Sequence, residues 1–349
     1  MKKNITLRQE KILTILENQS LLSISQIIEM LNMDISIPTI NRDLAKLVKI
    51  GFIRRIGKGR YTSYQISPTY HFHESIDTTR YFQVDPDKRK VFKQFNREIF
   101  ILLDNEDLFS AKERSFLDEL TNTYQAHLKE YSDTLYNKEF ERLTIELSWK
   151  SAQIEGNTYD LLDTEKLLKY KIESNRNSKE EAIMLLNHKY AIDYLRSYPD
   201  LFYTVSVKDI EDVHALLTKD LGVARNIRSR LVGITGTQYR PPDNSFQIRE
   251  FLESMCNLLN RKSNVFEKAI LSILLISYIQ PFEDGNKRTG RIVANGILMS
   301  GNKCPLSYRS VDVVDYKKAV LLFYEQNNIQ AFKDIFITQY QFAVENYFL

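Results

Sequence analysis

Apolar residues recur at three-and-four spacing over most of the chain, and only two stretches alternate as strands do. Leu7–Asn18 places apolar side chains at 12, 13, 15 and 16, which predicts a first helix. A short second helix is expected over Ser25–Leu31 with Ser25 at its N-cap, followed by a turn at Asn32-Met33-Asp34. Ser36–Lys49 predicts a third helix, with Pro38 in its first turn, an apolar face of Ile40, Leu44, Leu47 and Val48, and Gly51 beyond its end. The following FIRRIGKGRYTSYQI reads as two strands around Gly57-Lys58-Gly59, a hairpin with a basic tip. Ser67 to Pro86 is irregular. Beyond it, helical patterns run over about 87–103, 111–131, 137–155, 162–172, 178–197, 206–219, 247–260, 265–279, 286–300, 313–327 and 329–346. Among them, Ile227–Arg240 alternates in part, contains Gly233 and Gly236 and ends in Pro241-Pro242, so it is expected to form a single hairpin.

This pattern predicts a mainly α chain in more than one domain: a small N-terminal domain over 1–66, a linker over 67–89 and a large helical domain over 90–349. The composition agrees. Eleven Gly and eight Pro in 349 residues leave few turns, and two cysteines, Cys256 and Cys304, can build neither a disulfide scaffold nor a Cys-rich zinc site. The longest apolar run, Ala269–Ile279, is interrupted by Ser272 and Ser277 and is about half the roughly 20 residues a membrane span needs, so it reads as a buried helix. The N-terminus MKKNITLRQEK lacks the apolar core of a secretory signal. A cytoplasmic protein with no membrane partner is expected.

Charge separates the two ends. Residues 1–70 carry 11 Lys and Arg against 5 Asp and Glu, whereas the remainder is slightly acidic; seven of the eleven lie between Arg42 and Arg60. Such a stripe is either a solvated face or the footprint of a polyanion. Three helices and a basic hairpin in this order look like a winged helix-turn-helix domain. In that arrangement Thr39, Asn41, Arg42 and Lys46 face the major groove, and Arg54, Arg55, Lys58 and Arg60 meet DNA phosphates. A winged helix used for dimerisation or protein docking is the alternative.

The densest chemistry lies in Ile279–Arg291, IQPFEDGNKRTGR. A buried helix ends before Pro281, Gly285 permits a left-handed turn, and a new helix starts near Asn286 with unpaired amides that form an anion site. Arg288 and Arg291 share the face at that end and offer planar forks to phosphate oxygens. Asp284 sits at the turn, where it can hold a Mg²⁺ ion between phosphates, and Phe282 anchors the loop from inside. Together these residues describe a site for a nucleotide polyphosphate.

The segment resembles the signature of the Fic (Fido) family, His-Pro-Phe-x-Asp-Gly-Asn-Gly/Lys-Arg-x-x-Arg, through Pro281, Phe282, Asp284, Gly285, Asn286, Lys287, Arg288 and Arg291. The resemblance implies an all-helical Fido core with a β-hairpin flap at 227–240 to which a target protein is added as a strand. It implies ATP and Mg²⁺ as ligands, and transfer of AMP to a hydroxyl of the target. Gly290, between the two arginines, is expected among the nucleotide-binding residues. Ser151-Ala152-Gln153-Ile154-Glu155-Gly156-Asn157 is similar to the family's inhibitory element, so that Ser151, Glu155 and Gly156 would restrain the site, with Glu155 pairing Arg291 in the place of the γ-phosphate. The alternative for this segment is a plain helix terminus. Gln280 stands where the family has its general-base histidine, and an amide cannot hold a proton near neutral pH. A slow or altered transferase, a nucleotide-sensing regulator that binds DNA, and a disabled form of an active parent are all compatible with Gln280. His188 and His214 read as packed core residues rather than substitutes for the missing base. A homodimer is an option the sequence leaves open.

Overall fold

The structure is a computed structural model that describes residues 5–19, 21–33, 35–67 and 69–349. The side chain of Arg60 lies outside the described residues, as does Asp34 of the expected turn. The chain divides into two compact units, Met1–Ile76 and Asp77–Leu349. Among the described residues no helix is long and apolar enough to cross a membrane.

The first unit contains α1 (Leu7–Asn18), β1 (Leu22–Ser23), α2 (Ile24–Leu31), α3 (Ile37–Lys49), β2 (Ile53–Ile56), β3 (Ser63–Ile66) and α4 (Tyr70–His73). Thr6 and Ser23 close capping boxes with Gln9 and Gln26, so α2 begins at Ile24 and its cap is Ser23 rather than Ser25. The antiparallel sheet runs β1-β3-β2, with Ile53 opposite Ile66 and Leu22 opposite Tyr64. β1 is too short to leave a period in the sequence. Ile12, Leu16, Ile27, Ile40, Leu44, Leu47, Ile53 and Tyr64 form one core, from which Val48 is left exposed. Gly57 has φ +79°, and an added Cβ there would run into the Tyr61 carbonyl, so the tip of the wing requires glycine.

The second unit is helical: α5 (Thr78–Gln83), α6 (Ile99–Asp104), α7 (Ala111–Glu130), α8 (Asp133–Ile154), α9 (Leu161–Tyr170), α10 (Lys179–Ser197), α11 (Val207–Leu217), α12 (Ser245–Arg261), α13 (Val265–Ile279), α14 (Asn286–Ser300), α15 (Val313–Gln326) and α16 (Gln330–Asn346). At its centre α13 lies against α14. Gly290 permits the close approach, since a Cβ there would sit 3.1 Å from the Ile273 Cα.

Three expectations fail, two of them for one physical reason: long-range partners take the backbone or the apolar side chains. Only Ile99–Asp104 of the 87–103 stretch is helical. The Phe92 amide donates to the Glu325 carbonyl (2.9 Å), and Phe95 stacks on Phe251 and packs against Tyr278, so the helix-like spacing serves tertiary contacts. The stretch from Ser67 to Pro86 is not irregular throughout, because it contains α4 and α5, the latter capped by the Asp77 side chain, and it ends at a 3₁₀ turn over Pro86–Lys88. The expected hairpin at 227–240 forms no strand pair. It is a loop of two arms with a turn at Thr235-Gly236, whose one bridge is parallel and joins Arg240 to Gln94. The Arg228 amide goes to the Pro281 carbonyl and the Arg240 amide to that of Lys93, which leaves no ladder between the arms.

Candidate functional site

Helix α13 ends at Gln280, which takes left-handed backbone angles (φ 50°, ψ 59°). The loop that follows carries Phe282 inward, fully buried, where its ring stacks on His214 with centroids 3.6 Å apart. Gly285 has φ +83° and sits against Thr218 and His214, so the turn into α14 has neither the angles nor the room for a side chain. Asn286 binds the loop to itself: its Oδ1 accepts from the Phe282 amide (2.9 Å), and its Nδ2 donates to the Phe282 carbonyl (2.8 Å) and to Gln280 Oε1 (2.9 Å). The first amides of α14 precede its first internal bond, from Thr289 N to the Gly285 carbonyl (2.8 Å), and are oriented as helix N-terminal donors.

Two guanidinium groups are buried at this end. Arg288, 2% exposed, donates to Asp284 Oδ2 (2.9 Å), and burial lowers its affinity for the proton. The Asp284 side chain itself is largely exposed. Arg291, wholly buried, sends Nε to Ser151 Oγ (2.8 Å) and Nη2 to both the Ser151 carbonyl (2.9 Å) and Glu155 Oε1 (2.8 Å). Burial opposes the Arg291 charge, but the Tyr316 hydroxyl and the Glu155 carboxylate outweigh it and hold the group protonated.

Glu155 caps the C-terminal end of α8, and Gly156, at φ +102°, turns the chain away from it. Lys287 Nζ lies 3.8 Å from the other Glu155 oxygen. Burial would raise the Glu155 carboxyl, yet Arg291 and Lys287 together hold it below the usual carboxylate range. Ser151 is set by His188. The His188 Nδ1 faces the Met184 carbonyl (2.9 Å) and so carries the hydrogen, while its bare Nε2 accepts from the Ser151 hydroxyl (2.9 Å). Burial, aided by the Arg288 charge, depresses the His188 pKa to about 3 and keeps the ring neutral.

The fold therefore brings Ser151, Glu155, Lys287 and Arg291 into one contact network and sets Asp284 with Arg288 beside it. Gly290 faces α13, where a Cβ would meet the Ile273 backbone, so it serves helix approach. Gln280 has both ends of its amide engaged: Nε2 donates to the Ser277 carbonyl (2.6 Å), and Oε1 accepts from Asn286. His214 cannot replace a base at this position. Its Nε2 faces the Asp284 carbonyl (3.0 Å), and burial lowers its pKa to about 4. Sequence reasoning overlooked Arg228 and Tyr316 because neither belongs to a local pattern; both reach the site across the fold.

In the first unit Asn41, Arg42 and Lys46 are exposed along α3, whereas Thr39 near its start is half-buried, with its hydroxyl 2.9 Å from that of Ser36. Arg54, Arg55 and Lys58 are exposed on the wing. Arg55 also donates to Thr62 Oγ1 (3.0 Å), which fixes one wing guanidinium relative to the sheet.

The Fic/DOC family model matches residues 204–298, and the model of the DeoR-like helix-turn-helix domain matches residues 8–65. The chain is 28% identical over 172 residues to protein adenylyltransferase Fic of Nematostella vectensis, which covers 48% of this chain and 40% of that protein. It is 30% identical over 100 residues to a probable protein adenylyltransferase of Aquifex aeolicus, covering 28% of this chain and 31% of that protein. The chain thus spans well under half the length of these curated relatives. Among solved structures, Fic-1 from C. elegans superposes with a TM-score of 0.57 at 19% identity, over 67% of this chain and 71% of that one. A Fic domain containing signaling protein from Bacteroides thetaiotaomicron gives 0.57 at 18% identity, over 66% and 94%. At these identities the likeness is one of fold.

Proposed function

We propose that this chain, which carries a Fic/DOC family domain at 204–298 behind a DeoR-like helix-turn-helix domain at 8–65, binds ATP–Mg²⁺ at the 280–285 loop and the N-terminus of α14. Its reaction class is transfer of AMP to a hydroxyl of a target protein, with Glu155 as the internal restraint. The observation that carries this reading is the wholly buried Arg291, whose anionic partner is a carboxylate from the end of another helix. A nucleotide's terminal phosphate offers the same charge and the same acceptor oxygens.

In this reading Arg288 and the first amides of α14 hold the phosphates, and Arg291 takes the last phosphate once Glu155 leaves. Asp284 suits Mg²⁺, because its side chain is largely exposed and Arg288 engages one of its two oxygens. When bound, that ion neutralises phosphate charge. Positioning and electrostatics are the larger part of phosphoryl-type catalysis, and this chain retains both. Gln280 can orient a target hydroxyl but cannot take its proton, which costs about 10²–10⁴ in rate. Target docking along the 227–240 loop, and DNA binding through α3 and the wing, belong to the same reading.

A second reading is favoured by the doubly engaged Gln280 amide: a DNA-binding regulator whose second unit senses nucleotide without transferring it. Calorimetry with ATP–Mg²⁺ tests the common premise. Binding by wild type that Arg288→Ala weakens strongly is expected, and equal binding by both would sink the site. Labelled ATP then separates the readings, since protein-bound label from wild type means a transferase, and label only after Gln280→His means a sensor.

A further inference from the structure

We propose that Arg228 is a positioning residue that clamps the 227–240 loop to the first residues of the nucleotide loop. The function of that spacing rests on the reading above, whereas the clamp follows from the hydrogen bonds themselves. Arg228 is 2% exposed, and all three of its side-chain nitrogens donate to main-chain carbonyls: Nε to Gln280 (2.6 Å), Nη1 to Arg230 (2.7 Å) and Nη2 to Pro242. Its own amide donates to the Pro281 carbonyl (3.0 Å). One residue thus joins a carbonyl from each base of the loop, at 230 and 242, to the two residues that open the site.

The chemistry suits a guanidinium and no other side chain. A buried cation without a carboxylate partner is costly unless dipoles solvate it. Here the three carbonyls do so, and one of them belongs to Gln280, the C-cap of α13, whose last eleven residues are all buried and where the helix dipole favours positive charge. A planar fork reaches acceptors in three directions at once, which a lysine ammonium on a flexible stem cannot reproduce. The constraint is passed on, because the Gln280 side chain meets Asn286 at the first turn of α14. Loop, nucleotide turn and helix N-terminus are therefore held in one register by side-chain bonds rather than by a strand ladder. Arg228 accordingly fixes how high a target segment on the loop would stand over the reacting phosphate.

Hydrogen–deuterium exchange on the full chain tests the clamp. In Arg228→Met, amides of 229–240 and of 280–284 should exchange at least about tenfold faster while the interiors of α13 and α14 keep wild-type rates. Arg228→Lys retains the cation at the end of α13 but loses the fork, so 229–240 should loosen while 280–284 stays protected. Wild-type rates in both segments of Arg228→Met would overturn the proposal, and so would an acceleration shared equally by α13 and α14, which marks general destabilisation. If Arg228→Met yields no folded protein, the lysine variant decides: a loosened 229–240 supports the clamp, and an unchanged one overturns it. ATP–Mg²⁺ binding by wild type, measured in parallel, judges the nucleotide reading separately, since its loss would leave the exchange contrast intact.

Discussion

Replacing Glu155 by glycine removes the carboxylate that pairs with Arg291 while leaving the two bonds from that guanidinium to Ser151 in place. Breaking a buried ion pair from one side costs about 3–5 kcal/mol. The lower end applies here, because Ser151 still satisfies part of the guanidinium and Glu155 is itself one-fifth exposed. The unliganded variant should therefore lose about 3 kcal/mol, or roughly 6–12 °C in melting temperature. A triphosphate can supply the missing anion. If it recovered the whole term, ATP would bind ~100-fold more tightly than to wild type. ADP lacks that phosphate and should gain severalfold at most. The carboxyl pKa is held below its ordinary 4.5, so the pair's contribution is complete above that value and is lost as pH falls through the depressed one. Calorimetry at pH 7 therefore works on the plateau. Titrating both variants with ATP–Mg²⁺ and ADP–Mg²⁺ gives four affinities. Equal gains for the two nucleotides, or none, would refute the restraint and leave Ser151–Asn157 as an ordinary helix end.

Other outcomes follow from the same geometry. The full chain should retard duplex DNA at low salt, with affinity falling steeply as salt rises. Arg42→Ala together with Arg55→Ala should weaken binding and lower the salt slope by roughly one for each phosphate no longer neutralised; a slope unaffected by both would remove α3 and the wing from the interface. Acid should destabilise the second unit before its carboxylates titrate. His188 and His214 have folded pKa values of about 3 and about 4 against an ordinary 6.5, so the unfolded chain binds the extra protons. Stability should drop as pH falls below about 6.5, by roughly 1.4 kcal/mol per pH unit for each histidine. Urea midpoints that stay constant from pH 7 to pH 5 would contradict this.

The sequence alone was enough for the helical class, the three helices and wing of the first unit, and the helix–turn–helix course of Ile279–Arg291. Each of these rests on residues within a few positions of one another, where helical period, capping and turn preference act locally. The pairing of Glu155 with Arg291, 136 residues apart, came only through resemblance to a family. No spacing encodes a contact between the end of one helix and the start of another, so its distance and burial were decided by the packing of α8, α13 and α14. The same holds where local signals misled. The 227–240 alternation and the 87–103 periodicity were real, but Pro281, Lys93 and Glu325 supplied backbone acceptors, and Phe251 and Tyr278 supplied aromatic faces, from far along the chain. Arg228 is the extreme case. In sequence it is one arginine in a loop; in the fold it is a buried cation, because three carbonyls and a helix end meet around it. A buried charge persists only where acceptors converge, and that convergence is a property of tertiary structure.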